Sequence, residues 1–173
     1  VSPYIQVSFV EGIEESVTIE SNATEDENLH IEVKGKTLHI YLKDAKLFPM
    51  EEKLSKEGKI VDRVQYNLTT VKAIVTYKTL NEISVRGEED FEFQSPLKGE
   101  NFLLTVYGSS HISLNEVARK QLRATLYGES KLEIKAGNIQ TQRYISYGTS
   151  VVDALAITSE DARIIAYGDG RFK

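Results

Sequence analysis

Four tyrosines, Tyr107, Tyr127, Tyr147 and Tyr167, stand 20 residues apart, and each is followed directly by a glycine. Three arginines, Arg123, Arg143 and Arg163, share the period, each four residues before one of the last three tyrosines. If these residues stack, the phenols form one ladder and the guanidiniums another. Aromatic rings offer flat apolar faces with a polar tip, suited to a glycan or a peptide. Guanidiniums stack on phenols or bind anionic groups such as sulfates and uronates. The plainer reading is a stability ladder of tyrosines beside a solvated charged face. Both readings stand at this level, with Glu133, Asp153, Glu160 and Asp161 as counter-charges for the arginine row.

Other chemistry has less support. The three histidines, His30, His39 and His111, lack metal-ligand spacing, so no metal is expected. There is no cysteine, hence no disulfide framework, thiolate zinc site or cysteine nucleophile. No glycine-rich phosphate loop precedes a helix, and no cofactor or catalytic residue is expected. Arg143, Asp153 and Arg163 resemble the acid and base clusters of β-solenoid polysaccharide lyases and hydrolases, which makes a carbohydrate-active enzyme the alternative class. The chain has 173 residues, 40% of them hydrophobic, with 21 Lys+Arg against 26 Asp+Glu and a formal net charge of -5. That balance argues against nucleic acid as the partner, and no apolar run is long enough for a transmembrane segment. The chain begins with Val1 rather than Met, as expected of a processed product from which any signal peptide is already gone.

The elements that would hold these ladders follow from the repeat. Gly108, Gly128, Gly148 and Gly168 keep the 20-residue phase, and Arg86-Gly87 is a degenerate earlier copy, 21 residues before the first. Apolar residues alternate on both sides of each glycine, as in Leu122, Ala124, Leu126 before Gly128 and Leu132, Ile134 after it. The third copy is irregular, with Gln142, Tyr144 and Ser146. Eleven residues before the glycines sit Leu97, Val117, Gly137 and Ile157. Each unit holds two or three short strands and cannot bury its own apolar face. Stacking in parallel buries it, with Gly87, Gly108, Gly128, Gly148 and Gly168 at structural corners. The expected fold is all-β, a parallel β-solenoid of about five coils and some 20–25 Å in length.

The first half differs. Ile5–Phe9, Val17–Ile19, Leu29–Val33 and Leu38–Leu42 alternate, and Lys34-Gly35-Lys36 marks a hairpin. These predict N-terminal hairpin-type strands over 1–43. A charged insertion over 44–63 follows, then strand character at Val64–Leu68 and Ala73–Tyr77, and repeat coils over 64–173. The whole of 1–173 reads as one domain. The end near Phe172 exposes strand edges, to be covered by a neighbour in a homo-oligomer, by the N-terminal hairpins, or by a further segment.

Val17-Thr18-Ile19, the turn and strand Gly35 to Ile40, and Leu80 to Gly87 followed by glycine corners every 20 residues resemble the bacterial auto-transporter adhesin head GIN domain family. The resemblance runs from about Tyr4 to Phe172. Corners of that family usually read Ser-Gly-Ser-Gly, whereas here they read Tyr-Gly-Ser-Ser, Tyr-Gly-Glu-Ser, Tyr-Gly-Thr-Ser and Tyr-Gly-Asp-Gly. The resemblance implies a secreted or envelope protein of Bacteroidetes-type bacteria, located in the periplasm, at the outer membrane surface or outside the cell. It implies a non-enzymatic adhesive or scaffolding role toward a glycan or a surface or matrix protein, and it carries over no catalytic residues.

Overall fold

The computed structural model describes residues 1–45, 66 and 69–173. The expected insertion therefore lies outside the described residues except for Asp44 and Ala45, and so does the strand expected at Val64–Leu68 except for Tyr66. The N-terminal strands are β1 (Ile5–Glu11), β2 (Ser16–Asn22), β3 (Leu29–Lys34), β4 (Thr37–Leu42) and β5 (Val71–Tyr77). The coils follow as β6 (Glu82–Gly87), β7 (Asp90–Phe93), β8 (Leu97–Gly108), β9 (His111–Leu114), β10 (Val117–Gly128) and β11 (Lys131–Ile134). They end with β12 (Gly137–Gly148), β13 (Val151–Asp153), β14 (Ile157–Tyr167) and β15 (Arg171–Phe172).

The long strands stack in the order β6-β8-β10-β12-β14, and the short strands continue one eight-stranded sheet, β15-β13-β11-β9-β7-β1-β5-β2. All pairings between coils are parallel. Arg123 pairs with Arg143, Tyr127 with Tyr147 and Gly128 with Gly148, so the 20-residue period becomes zero shift in register. The fold is a parallel β-solenoid of about five turns.

Each long strand turns a corner inside itself. The register skips Glu100, Lys120, Gln140 and Glu160 in every coil. Before this corner the inward-facing buried positions of β10 are Val117 and Arg119; after it they are Leu122, Ala124 and Leu126. The corner row is polar, and its members link the coils: Lys120 Nζ lies 2.8 Å from Glu100 Oε2, and Gln140 Nε2 donates to Glu160 Oε2 at 3.2 Å. Gly137 falls in the row of Leu97 and Val117 because its backbone runs against that of Val117. An added Cβ would lie 2.7 Å from the Val117 nitrogen.

The core runs through the coils as rows of Phe102, Leu104 and Val106, then Leu122, Ala124 and Leu126. The irregular third coil stays in register. Gln142 and Ser146 are buried with Tyr144, and the Tyr144 hydroxyl donates to Gln142 Oε1 at 2.6 Å. Burial pushes that phenol well above its usual range. A buried polar pair that satisfies itself replaces two apolar side chains.

At the N-terminal end, β1 enters the solenoid itself, pairing in parallel with both β5 and β7, and Phe9 stacks on Phe93 at 4.5 Å. β2 closes that sheet edge in antiparallel fashion with a register shift between Ile19 and Ser21, a device that blunts an edge. The hairpin signalled by Lys34-Gly35-Lys36 is β3–β4. It is tied to the N-terminal end, where the Ser2 nitrogen donates to the Ile40 carbonyl at 3.0 Å. The N-terminal hairpin therefore does not cover the end near Phe172. There β14 and β15 are edge strands, and Ile164 and Tyr167 are 50% and 59% exposed.

Candidate binding face

The corner glycines Gly87, Gly108, Gly128, Gly148 and Gly168 all have positive φ, from +105° to +136°. Two residues on, a serine side chain turns inward. Ser110, Ser130 and Ser150 donate to the carbonyls of Gly87, Gly108 and Gly128 at 2.9, 2.9 and 3.1 Å. Each of these carbonyls also accepts the backbone N–H of the preceding residue, Ser109, Glu129 or Thr149. The carbonyl thus keeps a donor if the hydroxyl is lost. Ser130→Ala is expected to cost about 1 kcal/mol, the net worth of one hydrogen bond, in urea unfolding. In the first coil Glu89 takes the serine's place, accepting from the nitrogens of Tyr4 and Glu88 at 2.8 and 3.0 Å. Burial holds its carboxyl above the usual range against those bonds.

The corners hold the outer face of the five-stranded sheet, where three rows run along the coil axis. One row is Leu103, Arg123, Arg143 and Arg163; the next is Thr105, Thr125, Ile145 and Ile165; the third is the tyrosine ladder. Tyr107, Tyr127, Tyr147 and Tyr167 stack at centroid distances of 4.8, 4.9 and 4.8 Å, with planes within 6° of parallel. Arg86, in register with Tyr107, places its guanidinium 5.1 Å from that ring's centroid and caps the stack.

The ring faces are therefore occupied by one another. Among the described residues, Tyr167, at the end of the ladder and 59% exposed, is the ladder ring with a face left for a ligand lying flat on a phenol. Tyr107, Tyr127 and Tyr147 offer edges and hydroxyls. Thr125 and Ile145, although they point outward, are only 8% and 6% exposed, so the flanking rows close over the middle of the row between them, while Thr105 and Ile165 at its ends are half-buried. Arg123, Arg143 and Arg163 make no ion pair among the described residues, and the buried Nε of Arg143 lacks a hydrogen-bond partner.

Two expected partners of the arginine row lie elsewhere. Glu133 and Asp153 project from β11 and β13 in the eight-stranded sheet, not beside the arginines of β10 and β12. Asp153 instead faces Lys173 at 3.9 Å. Arg143, Asp153 and Arg163 thus do not converge on one point, which removes the acid and base cluster read from their spacing. His111 sits between Asp90 and Glu133, its ring nitrogens 3.8 and 3.6 Å from their oxygens. His30 stacks on Tyr41. Among the described residues no three His, Cys, Asp or Glu side chains gather as a metal site, and no helix is long and apolar enough to cross a membrane.

One buried charge escaped the sequence reading. Arg119 is 4% exposed, and its guanidinium donates to the carbonyls of Leu80 and Asn101 at 2.6 and 2.8 Å. Gly99, one coil earlier, leaves the space it fills, since an added Cβ there would lie 2.9 Å from an Arg119 nitrogen. The signal was the mid-strand corner, which turns position 119 inward.

Solved structures share this architecture. A crystal structure of a "putative adhesin" from Parabacteroides merdae ATCC 43184 matches with a TM-score of 0.64 at 18% identity, over 99% of this chain and 73% of that one. A "putative adhesin" from Parabacteroides distasonis ATCC 8503 gives 0.60 at 18% identity, over 99% and 74%. A "putative lipid binding protein" from the same strain gives 0.54 at 16% identity, over 100% and 94%. At these identities the likeness is one of fold. No curated protein matches the chain. With the coil register, the glycine corners and these neighbours in agreement, the family match over residues 1–173 completes the assignment: the chain belongs to the family described as "Putative auto-transporter adhesin, head GIN domain".

Proposed function

We propose that this chain is one exported, non-enzymatic domain of the cell envelope or surface, and that it adheres to a glycan or to a surface or matrix protein. The binding face is the outer side of the five-stranded sheet, with Tyr107, Tyr127, Tyr147 and Tyr167 on one rail and Arg123, Arg143 and Arg163 on the other. The observation that carries this reading is three guanidiniums in register with no ion-pair partner among the described residues, beside a row of phenol hydroxyls. A solvated face kept only for solubility needs no such alignment. Family membership and the adhesin-like neighbours support an adhesive role.

The test is a screen of the immobilised protein against glycans and matrix proteins, run beside a polysaccharide depolymerisation assay. Binding to at least one surface is expected, with Tyr127→Ala plus Arg143→Ala abolishing most of it and no sugar ends released. Binding unchanged in that variant overturns the choice of face. Release of reducing or unsaturated sugars overturns the non-enzymatic reading.

A further inference from the structure

We propose that the ligand of this face is a linear acidic polysaccharide, laid along the coil axis with its carboxylate or sulfate groups held by Arg123, Arg143 and Arg163; the inference rests on the face named above. Charge is the first argument. The chain carries 26 acidic residues against 21 basic ones, yet none of the acids pairs with this row among the described residues. The row continues through Leu103 to Glu82 at its N-terminal end, and Asp161 precedes Arg163 on β14; neither forms an ion pair there. Three like charges one strand apart repel one another, and a polyanion relieves what the protein leaves unrelieved. Guanidinium forks take carboxylate and sulfate oxygens in pairs.

Polarity is the second argument. Thr125 and Ile145 are closed over, so across the two middle coils an approaching ligand meets guanidinium heads and phenol hydroxyls rather than an apolar floor. That favours a polar chain over a lipid tail. Geometry is the third. The tyrosine stack measures the coil rise directly, at 4.8–4.9 Å, close to the length of one pyranose unit in an extended chain. Duplex DNA presents its phosphates about 3.4 Å apart along the axis of each strand and winds away from a straight row, so it falls out of step.

The experiment titrates the intact protein with polygalacturonate, dextran sulfate, uncharged dextran and duplex DNA, at low and moderate salt. Both acidic polysaccharides should bind, uncharged dextran should not, and affinity should fall as salt rises. Arg123→Gln plus Arg143→Gln should weaken binding about tenfold, the worth of two exposed charge contacts, with an unchanged circular dichroism spectrum and melting midpoint. Arg143→Lys keeps the charge but not the fork, and should lie between. Arg171→Gln, on the other sheet, should leave binding intact. Equal binding of uncharged dextran, tighter binding of DNA, or full binding by the folded double variant would each overturn the proposal. A neutral glycan or matrix protein that binds and is lost on Tyr127→Ala would overturn the acidic ligand while leaving the adhesive face standing.

Discussion

Gly128→Val should lower the stability of the protein by about 3 kcal/mol or more, against the ordinary cost of about 1 kcal/mol for a point substitution. Two effects combine. Gly128 has φ +105°, a region closed to a β-branched side chain, and its added Cβ would stand 2.5 Å from the carbonyl oxygen of Gly108. That oxygen cannot retreat cheaply, because it accepts both the Glu129 N–H and the Ser130 hydroxyl. Relief requires opening β8 from β10, and in a stacked repeat the loss at one interface reaches both neighbours. Gly35, in the β3–β4 turn, is the control. It also has positive φ, +65°, but an added Cβ meets nothing within 4 Å. Gly35→Asn should change stability by only a few tenths of a kcal/mol, because asparagine tolerates the left-handed conformation. Equilibrium urea unfolding of both variants is the measurement. A Gly128→Val loss no larger than that of Gly35→Asn would mean that the corner does not depend on close backbone approach.

That corner also shows why so much of the fold is legible in the sequence. A solenoid repeats its contacts at the period of the chain, so Tyr127 over Tyr147 in space is the same fact as a 20-residue spacing. What repeats can be read; what occurs once cannot. The parallel entry of β1 between β5 and β7 has no local signature. Ile5 to Phe9 alternates as a hairpin strand would, and only contacts with Val71–Val75 and Phe91–Phe93 decide its partners. The candidate face was legible as rows, because Arg123, Arg143 and Arg163 share a phase with the tyrosines. Its orientation was not. Composition suggests open ring faces, while the stacking distance leaves edges and hydroxyls. Nor could spacing reveal which sheet holds each residue, and so Asp153 fell on the wrong side of the coil as a partner for Arg143.

Arg119 tests the same reasoning on a residue that does not repeat. Its row reads Gly99, Arg119, Ile139 and Ser159, so one coil carries a buried cation where the next carries an isoleucine. Burial lowers its pKa, against smaller opposing effects of Tyr77 and Glu11, yet guanidinium stays charged in a protein. Its hydrogen-bond partners are the carbonyls of Leu80 and Asn101 and the side-chain oxygen of Asn81, and its head lies 5.6 Å from the Phe102 ring centroid. Those carbonyls belong to the chain that enters β6 and to the corner of β8, so the side chain ties its own coil, on β10, to the two before it. Replacing a buried ion by an apolar group is often neutral when the partner is also removed; here the two closest partners are backbone carbonyls and cannot be. Arg119→Ala should therefore cost about 3 kcal/mol, from two lost charge-assisted hydrogen bonds and a cavity, less the recovered desolvation. Arg119→Met fills most of the volume without restoring a donor, and should still cost about 2 kcal/mol. The difference between the two separates packing from hydrogen bonding in urea unfolding. If Arg119→Met were as stable as the parent protein, the carbonyls of Leu80 and Asn101 would not need this donor, and the coil tie assigned to Arg119 would be only a filled space.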